Sequence, residues 1–279
     1  MLLAPVSAPA FTILTQNIRM ANPEVPADHP DHWPTRRPVL QDLLRRCGAD
    51  VIGTQEVLPE QVPVIDEALG QTYLRLGYGR DGGGRGEHNL LLLRRDRFEV
   101  LDWDQFWLAE EPRLQGSLGW DAHCPRIAVL ARVRDLATGR EMIFAVTHLD
   151  HAGQQAQEQG AHLLAARLHE MAASGEGQGE GQLPIVLMGD FNADAEKSAA
   201  WRILVESGLG DTRLAAPTVH GGQWGTFPDY GEPTEGEARI DWILAEGLGV
   251  LEHSTHLHQL DGAVASDHMS VQARVQLAH

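Results

Sequence analysis

The sequence is short of positive charge: 22 Lys and Arg residues face 39 Asp and Glu residues, so the formal net charge is −17 at pH 7. Proteins that hold duplex nucleic acid neutralise the backbone phosphates with Lys and Arg, and a surface this acidic repels such a polyanion. The composition therefore disfavours nucleic acid as a partner. Nucleic acid would still bind if a local basic patch or bound metal ions reversed the charge of the surface.

Cysteine is scarce as well, and long apolar segments are absent. Two cysteines in 279 residues cannot make a disulfide scaffold. Cys47 falls on the apolar face of a predicted helix, which favours a buried thiol, and a disulfide to Cys124 is the alternative. No apolar run reaches the about 18 residues that a membrane span needs. The first residues lack a basic segment and are interrupted by Pro5 and Pro9, so we expect a cytoplasmic protein, or a secreted one if a signal has been removed.

What remains is typical of a globular protein, with 43% hydrophobic and 22% charged residues. Hydrophobic periodicity predicts helices at 38–47, 60–69, 154–171 and 196–206, and strands at 11–16, 51–54, 90–93, 98–101, 127–133, 142–146, 185–188, 240–244, 250–257 and 269–277. The glycine-rich segments 81–87 and 173–182 are predicted loops, the second one disordered. Because strands outnumber helices and many connections look like hairpins, we predict an α/β fold, a single domain over 1–279, in which largely antiparallel sheets are flanked by helices.

Polar residues stand where the predicted strands end. In MGDFNAD, Asp190 and Asn192 directly follow the apolar strand 185–188. Comparable positions are held by Asn17, Glu56, His148, Asp241, Asp267 and His268. Each of these residues alone is a common turn or cap residue. Together they predict a site, because strand ends in a layered α/β fold gather at one edge.

These stretches also resemble the motifs of a known family. The segments TQNIR (15–19), GTQEV (53–57), THLDH (147–151), GDFNAD (189–194), IDWIL (240–244) and SDH (266–268) are similar to those of the endonuclease/exonuclease/phosphatase superfamily, which has the deoxyribonuclease I-like fold. The likeness extends to a bacterial subgroup of small metal-dependent hydrolases, which share the W-x-x-R segment at 33–36 and GWDAxxPRIA at 119–128. The resemblance implies a four-layer α/β sandwich, with two mostly antiparallel sheets flanked by helices, and a metal-dependent hydrolase acting on phosphate esters.

The resemblance implies a metal site at the strand ends. Glu56 would be the principal ligand of Mg²⁺ or Mn²⁺, with the Asn17 amide oxygen and Asp267 beside it, since Mg²⁺ prefers oxygen ligands and needs only one or two carboxylates. Some family members carry an acidic residue where this chain has Arg19. One metal ion is therefore predicted in preference to two.

The resemblance also assigns catalytic roles. Asp190 would activate the attacking water, and Asn192 would orient Asp190 or the phosphate. Asp241 and His268 would form a carboxylate–imidazole pair that favours the imidazolium, which donates to a phosphate oxygen. His148 would donate to the same developing charge.

A further set of residues is expected on the substrate side. Arg126 is predicted to contact phosphate, with an ordinary salt bridge as the alternative, and His151 either lines the site or begins the following helix. Trp33, Trp107 and Trp120 would stack on a substrate ring or pack in the core. Arg36 is expected to contact the substrate. The positive groups near the motifs are few: Arg19, Arg36, Arg37, Arg126 and Arg239.

Three functions compete at this point. The acidic chain favours a phosphoesterase that acts on a small phosphodiester or phosphomonoester. The alternative is an endo- or exonuclease on DNA or RNA, which should have a basic groove lined by aromatic residues. A non-catalytic binding module of the same fold is the third, and it is disfavoured because no matched catalytic position is lost. Nothing in the sequence indicates a protein partner.

Overall fold

The computed structural model describes residues 1–173 and 182–277. The strands are β1 (Ala10–Asn17), β2 (Val51–Val57), β3 (Tyr73–Leu76), β4 (His88–Arg94), β5 (Phe98–Trp107), β6 (Ile127–Asp135), β7 (Glu141–His148), β8 (Ile185–Asp190), β9 (Gly210–Asp211), β10 (Thr218–His220), β11 (Asp241–Glu246), β12 (Leu248–His256), β13 (Gln259–Leu260), β14 (Ala263–Val264) and β15 (Ser270–Leu277). The helices are α1 (Trp33–Arg46), α2 (Val62–Leu69), α3 (Gln154–Ala173), α4 (Ala199–Glu206) and α5 (Thr212–Ala215), with a 3-10 turn at Gly70–Thr72. Most of the predicted disordered loop at 173–182 lies outside the described residues.

The strands form two large sheets. One has seven strands in the order β10-β12-β15-β1-β2-β4-β3, and the other has six in the order β5-β6-β7-β8-β11-β9. Three neighbouring pairs are parallel, β1 with β2, β10 with β12, and β7 with β8. The other pairs within these sheets are antiparallel. The predicted pair of mostly antiparallel sheets is thus confirmed.

Three hydrophobic clusters show how the layers stack. Between the sheets, the rings of Phe11, Phe98 and Phe144 contact one another with centroids 5.1 to 5.7 Å apart. On the outer face of the seven-stranded sheet, Leu40 of α1 and Ile65 of α2 belong to a second cluster. Helices α3 and α4 pack in the same way on the outer face of the six-stranded sheet. The molecule is therefore a four-layer α/β sandwich, as the resemblance implied.

The pairing of the strands brings their polar ends together. Parallel β7 and β8 place His148 beside Asp190, and antiparallel β11 places Asp241 opposite the same Asp190. The turn out of β8 needs the preceding glycine: Gly189 has a φ of 156°, and a Cβ there would lie 2.1 Å from the Thr147 carbonyl oxygen. Gly is the residue that tolerates such a backbone.

Several elements differ from their predicted bounds. Helix α1 begins at Trp33, five residues before the predicted start, and Pro38 lies inside it. Strand β5 continues to Trp107, beyond the predicted end at 101. The short elements β3, β9, β10, β13, β14 and α5, of two to four residues each, were not predicted.

The cysteines and the apolar character of the helices were both predicted from composition. Cys47 is buried and both cysteines are free, so the predicted buried thiol is confirmed and the alternative disulfide is not formed. Among the described residues, none of the helices has the length and apolar character needed to cross a membrane.

Candidate active site

The strand ends surround a cleft of about 540 Å³. Of the predicted site residues, the structure brings these to its wall: Glu56, Arg126, His148, His151, Asp190, Asn192, Asp267 and His268. Asn17 and Asp241 lie directly behind the wall, where they contact Asp190 and His268 respectively.

Asp190 lies at the centre of this network. Its Oδ2 accepts a hydrogen bond from Asn17 Nδ2 at 2.9 Å and lies 3.4 Å from His148 Nε2 and 3.7 Å from His268 Nε2. Its Oδ1 accepts from the backbone N–H of Asn192 at 2.9 Å. Burial raises the pKa of Asp190 to about 7. The carboxylate is held in place at both oxygens and is a stronger base than an exposed aspartate.

His268 and Asp241 form the expected pair. His268 Nδ1 donates to Asp241 Oδ2 at 2.9 Å, and both side chains are buried. Burial alone would lower the pKa of His268, but the charges of Asp241 and Asp190 raise it to about 10. The ring is therefore an imidazolium at neutral pH, with the exposed Phe227 ring 4.8 Å from it.

His148 has the opposite electrostatics. Asn192 Nδ2 donates to His148 Nε2 at 2.9 Å and to the Leu149 carbonyl oxygen at 3.0 Å. Burial, with the charge of Arg126 next, lowers the pKa of His148 well below its ordinary value. This imidazole is neutral, so of the two histidines only His268 brings a positive charge.

Two further carboxylates face one guanidinium at the mouth of the cleft. Arg19 NH1 lies 3.8 Å from Glu56 Oε2, and Arg19 Nε lies 3.6 Å from Asp267 Oδ2. Burial works to raise the pKa of Glu56, but the Asn17 hydrogen bond and the charge of His268 outweigh it and hold that pKa below its ordinary value. Burial raises the pKa of Asp267. Glu56 is therefore the better anion of the two.

Asn17 connects the carboxylates of the site to each other. Its Nδ2 donates to Glu56 Oε1 and to Asp190 Oδ2, each at 2.9 Å, while its Oδ1 accepts from the backbone N–H of Arg19. The amide nitrogen thus positions two carboxylates, and the amide oxygen keeps one lone pair beside its hydrogen bond. The metal-ligand role predicted for Asn17 stays a prediction.

Arg126 and His151 lie at the cleft wall and contact each other. Arg126 Nε lies 3.4 Å from Asp150 Oδ2, and its NH2 donates to His151 Nδ1 at 2.9 Å. Asp150 also accepts the N–H groups of Ala152 and Gly153 just before α3. Arg126 therefore forms a salt bridge, which was the alternative to its predicted phosphate contact. Its side chain also lines the cleft.

Trp33, Trp120 and Arg36 do not line the cleft. The Arg36 side chain is fully buried and pairs with Asp31 at 3.1 Å. Its guanidinium also donates to five backbone carbonyl oxygens, those of Ile18, Arg19, Met20, Asp31 and Ala265. Trp33 packs over this guanidinium, 5.3 Å from ring centroid to Cζ. The buried position of Arg36 contradicts its predicted substrate contact, since this residue ties together the loops behind the site. Trp33 packs, as its alternative interpretation had it, and the substrate contact of Trp120 stays a prediction.

Other wall residues were missed by the sequence analysis. They are Met20, Arg80, Glu87, His123, Cys124 and Phe227. Arg80 NH1 pairs with Glu87 Oε2 at 2.7 Å, across the base of the glycine-rich loop. The glycine-rich loop between them, with a positive charge near one end and a negative charge near the other, was the sequence signal that could have indicated Arg80 and Glu87. Arg37 and Arg239 instead pair elsewhere, with Glu67 and Asp211 respectively.

Three residues of the cleft wall have a left-handed backbone. Arg19, Glu56 and Asn192 have positive φ angles of 57°, 60° and 48°. Such angles are uncommon for residues other than glycine and cost on the order of 1–3 kcal/mol each. The surrounding hydrogen bonds maintain these conformations, which aim the three side chains into the cleft.

The donor set suits a hard divalent cation. One ligand atom from each of Glu56, His148 and Asp190 falls within 4.8 Å of the others, and the same holds for Asp190, Asp241 and His268. The carboxylate oxygens of the first group are the ligands that Mg²⁺ prefers. The second group is less suitable, because it contains an imidazolium.

Comparison with known proteins agrees with this chemistry. A sequence profile of the Endonuclease/Exonuclease/phosphatase family matches residues 14–268. The chain belongs to this family. It is accordingly a hydrolase of phosphate ester bonds, from a family that generally depends on a divalent metal ion.

Solved structures of the family superpose on nearly the whole chain. A Bacteroides vulgatus member is 32% identical, with a TM-score of 0.84, over 96% of this chain and 99% of its own. A Bacteroides thetaiotaomicron member is 29% identical, with a TM-score of 0.85, over 96% and 98%. The mannosyl-6-phosphatase of Bacteroides thetaiotaomicron is 30% identical, with a TM-score of 0.84, over 95% and 99%. Comparison with curated proteins gives no significant match.

Proposed function

We propose that the protein is a Mg²⁺- or Mn²⁺-dependent phosphatase of a compact sugar phosphate, in which Asp190 activates the attacking water. The observation that carries the proposal is the convergence of a buried carboxylate, an imidazolium and two outer carboxylates on one small cleft. The similarity to a mannosyl-6-phosphatase over nearly the full length supports a sugar monoester as the substrate.

Glu56 and Asp267 are the residues that would hold the metal ion, since each has a carboxylate oxygen within 4 Å of the same guanidinium, that of Arg19, at the mouth of the cleft. When bound, the ion would neutralise charge on the phosphoryl oxygens. Glu56 is ionised at neutral pH, which makes it the principal ligand. Arg19 lies between the two carboxylates and would turn toward the phosphate.

Asp190 has the properties of a general base. Its pKa of about 7 matches a base that works near neutrality. Asn17 and the backbone N–H of Asn192 each hold one of its oxygens, so the carboxylate cannot rotate freely. It would take a proton from water directed at phosphorus, while His268, charged and aligned by Asp241, donates to a phosphoryl oxygen.

The size and charge of the cleft favour a small substrate. Its guanidinium groups are those of Arg19, Arg80 and Arg126, of which the first two face carboxylates of the cleft itself. Three such groups would contact one phosphate and leave none for the following phosphates of a nucleic acid backbone. A hydroxylated monoester fits this limited positive charge.

The test is turnover on hexose phosphates, on a simple aryl phosphomonoester and on an aryl phosphodiester, with Mg²⁺, with Mn²⁺ and after exhaustive chelation. We expect hydrolysis of the hexose phosphates that chelation abolishes and either metal restores. Glu56→Gln should raise the metal concentration needed for half-maximal rate, whereas Glu60→Gln, an exposed neighbour, should not.

Full activity after chelation would refute the metal requirement. Turnover confined to the diester would refute the sugar monoester as the substrate. A protein that cleaves none of these esters while retaining its fold would refute the proposal as a whole.

A further inference from the structure

A second cavity of about 730 Å³ lies beside the proposed catalytic cleft. Small-molecule sites occupy roughly 300–1,000 Å³. Its wall combines aromatic and polar side chains, those of Tyr78, Trp103, Trp107, Asp104, Gln105 and Gln115. Glycines 82–84, all with positive φ, form another side and add no side chain that would fill it. We call it the aromatic pocket.

The aromatic rings of this pocket are held in place while one of them faces water. Tyr78 is 59% exposed, and its ring lies 5.6 Å from that of Trp103 at an angle of 45°. The Gln105 side chain holds the backbone of Tyr78 with two hydrogen bonds. Its Oε1 accepts from the Tyr78 N–H at 2.7 Å, and its Nε2 donates to the Tyr78 carbonyl oxygen at 3.1 Å. An exposed aromatic ring on a fixed backbone, already in contact with a second ring, loses less entropy when a planar or puckered ring stacks on it than a ring on a mobile loop would.

The polar groups of the pocket select for a neutral, hydroxylated ligand. None of its lining residues is basic, and Arg113, which contacts the wall through Asp104, is already paired with that carboxylate at 2.5 Å. Asp104 provides a carboxylate, and the Gln115 side-chain amide has no hydrogen-bond partner in the part of the chain that the structure describes. Aromatic faces cover the C–H face of a pyranose, while a carboxylate and an amide bond its hydroxyl groups. A nucleotide would instead bring a phosphate.

One loop connects the aromatic pocket to the proposed catalytic cleft. Tyr78 lines the first, and Arg80 lines the second. Two residues span at most about 7 Å. Trp107 Nε1 donates to the Arg80 carbonyl oxygen at 2.6 Å, which fixes the wall between them. A molecule of two linked rings can therefore reach both cavities.

We propose that the aromatic pocket is a subsite for a neutral pyranose ring, so that the enzyme acts on a phosphorylated glycan rather than on a single sugar phosphate. The catalytic half of this inference rests on the proposed function. The binding half does not, because a neutral sugar can occupy the pocket whether or not a phosphate is cleaved next to it.

The first experiment measures binding without turnover. Tryptophan fluorescence and protein NMR would follow titration with a neutral hexose disaccharide in the absence of metal. We expect saturable binding that Tyr78→Ala and Gln115→Ala weaken by about three- to tenfold each. Both residues are exposed, so the variants should fold, and Leu114→Ala is the matched control, since Leu114 is equally exposed but lies outside the pocket. Absence of saturable binding, or equal binding by all variants, would overturn the subsite.

The second experiment compares kcat/KM for a hexose phosphate with that for the same hexose phosphate linked to a second hexose. The wild type should prefer the linked substrate by about tenfold, and Tyr78→Ala should lose this preference while it keeps kcat/KM on the single sugar. Equal rates on both substrates would overturn the glycan assignment. If neither is cleaved but the neutral disaccharide binds, the catalytic proposal fails and the subsite stands; if a nucleoside binds and the disaccharide does not, the subsite inference fails.

Discussion

Asp190 is a carboxylate that the fold removes from water without an arginine or lysine partner. Among the described residues its histidine neighbours are the neutral imidazole of His148 at 3.4 Å and the imidazolium of His268 at 3.7 Å. An isolated buried carboxylate tends to take up a proton, and desolvation of this kind raises its pKa. The hydrogen bonds from Asn17 and Asn192 act in the opposite direction. The balance leaves a base suited to neutral pH.

The first prediction follows from that balance. Asp190→Asn keeps the shape of the side chain but removes the proton acceptor, so kcat should fall by about 10²- to 10⁴-fold. Asp229→Asn is the control, since Asp229 is exposed and lies outside the cleft. The measurement is steady-state turnover with thermal unfolding of both variants alongside. An Asp190→Asn enzyme that works at nearly the normal rate would refute the role of the base.

At the scale of elements, helix α1 explains why Arg36 was misinterpreted. The W-x-x-R segment lies in its first turn, and there the side chain of Arg36 points inward to the carbonyl groups that follow β1 and precede β15. Sequence alone does not reveal whether an arginine faces substrate or the chain's own carbonyls. The role of α1 is to hold the segment that carries Arg19, rather than to contact the substrate.

Arg36→Ala should therefore lower the free energy of unfolding by about 3–5 kcal/mol, because it breaks the buried ion pair with Asp31 and removes the donor of five backbone carbonyl oxygens. Arg37→Ala, one residue later and exposed, should cost less than about 1 kcal/mol. Urea unfolding of both variants measures the difference. A raised KM with unchanged stability in Arg36→Ala would instead support the substrate contact first expected.

A second element contains a buried histidine. His253 of β12 lies at hydrogen-bond distance from Thr212 of α5, with Nδ1 3.1 Å from Oγ1. Burial lowers the pKa of His253 to about 3, whereas in the unfolded chain it is near its ordinary value of 6.5. Between these values the unfolded state binds a proton that the folded state does not. This histidine therefore destabilises the fold progressively as pH falls from 6.5 toward 3.

The prediction is a pH slope that the His253→Gln variant reduces. In the wild type this residue should contribute up to about 1.4 kcal/mol per pH unit below pH 6. Urea unfolding at several pH values between 7 and 4 measures the slope, and His162→Gln, at an exposed position on α3, serves as the control. Identical slopes in wild type and His253→Gln would contradict the burial argument.

For the whole molecule, the sequence predicted the sheets and the strand-end residues because both have local signals. Alternation identified the strands, and Asp190 and Asn192 follow directly on an apolar run. Arg80 and Phe227 were missed since they lie in loops without periodicity, and only the fold brings them to the cleft. The pairing of Asn17 is likewise invisible in sequence, because which end of an amide faces a carboxylate depends on groups far along the chain.

Charge at this scale leads to the last prediction, that the protein binds long duplex DNA poorly. The net charge of −17 opposes the approach of a polyanion, and the guanidinium groups of Arg19 and Arg80 in the cleft are already balanced by Glu56 and Glu87. A protein that makes about six to ten phosphate contacts loses roughly 10³- to 10⁵-fold in affinity between low and moderate salt. With so few unbalanced cations, we expect weak binding and a shallow salt dependence. Fluorescence anisotropy with a labelled duplex at several salt concentrations, beside turnover on small esters, measures both. Tight and steeply salt-dependent binding, together with efficient nicking, would make the nuclease the correct function, because counterion release on that scale requires many phosphate contacts by Lys and Arg.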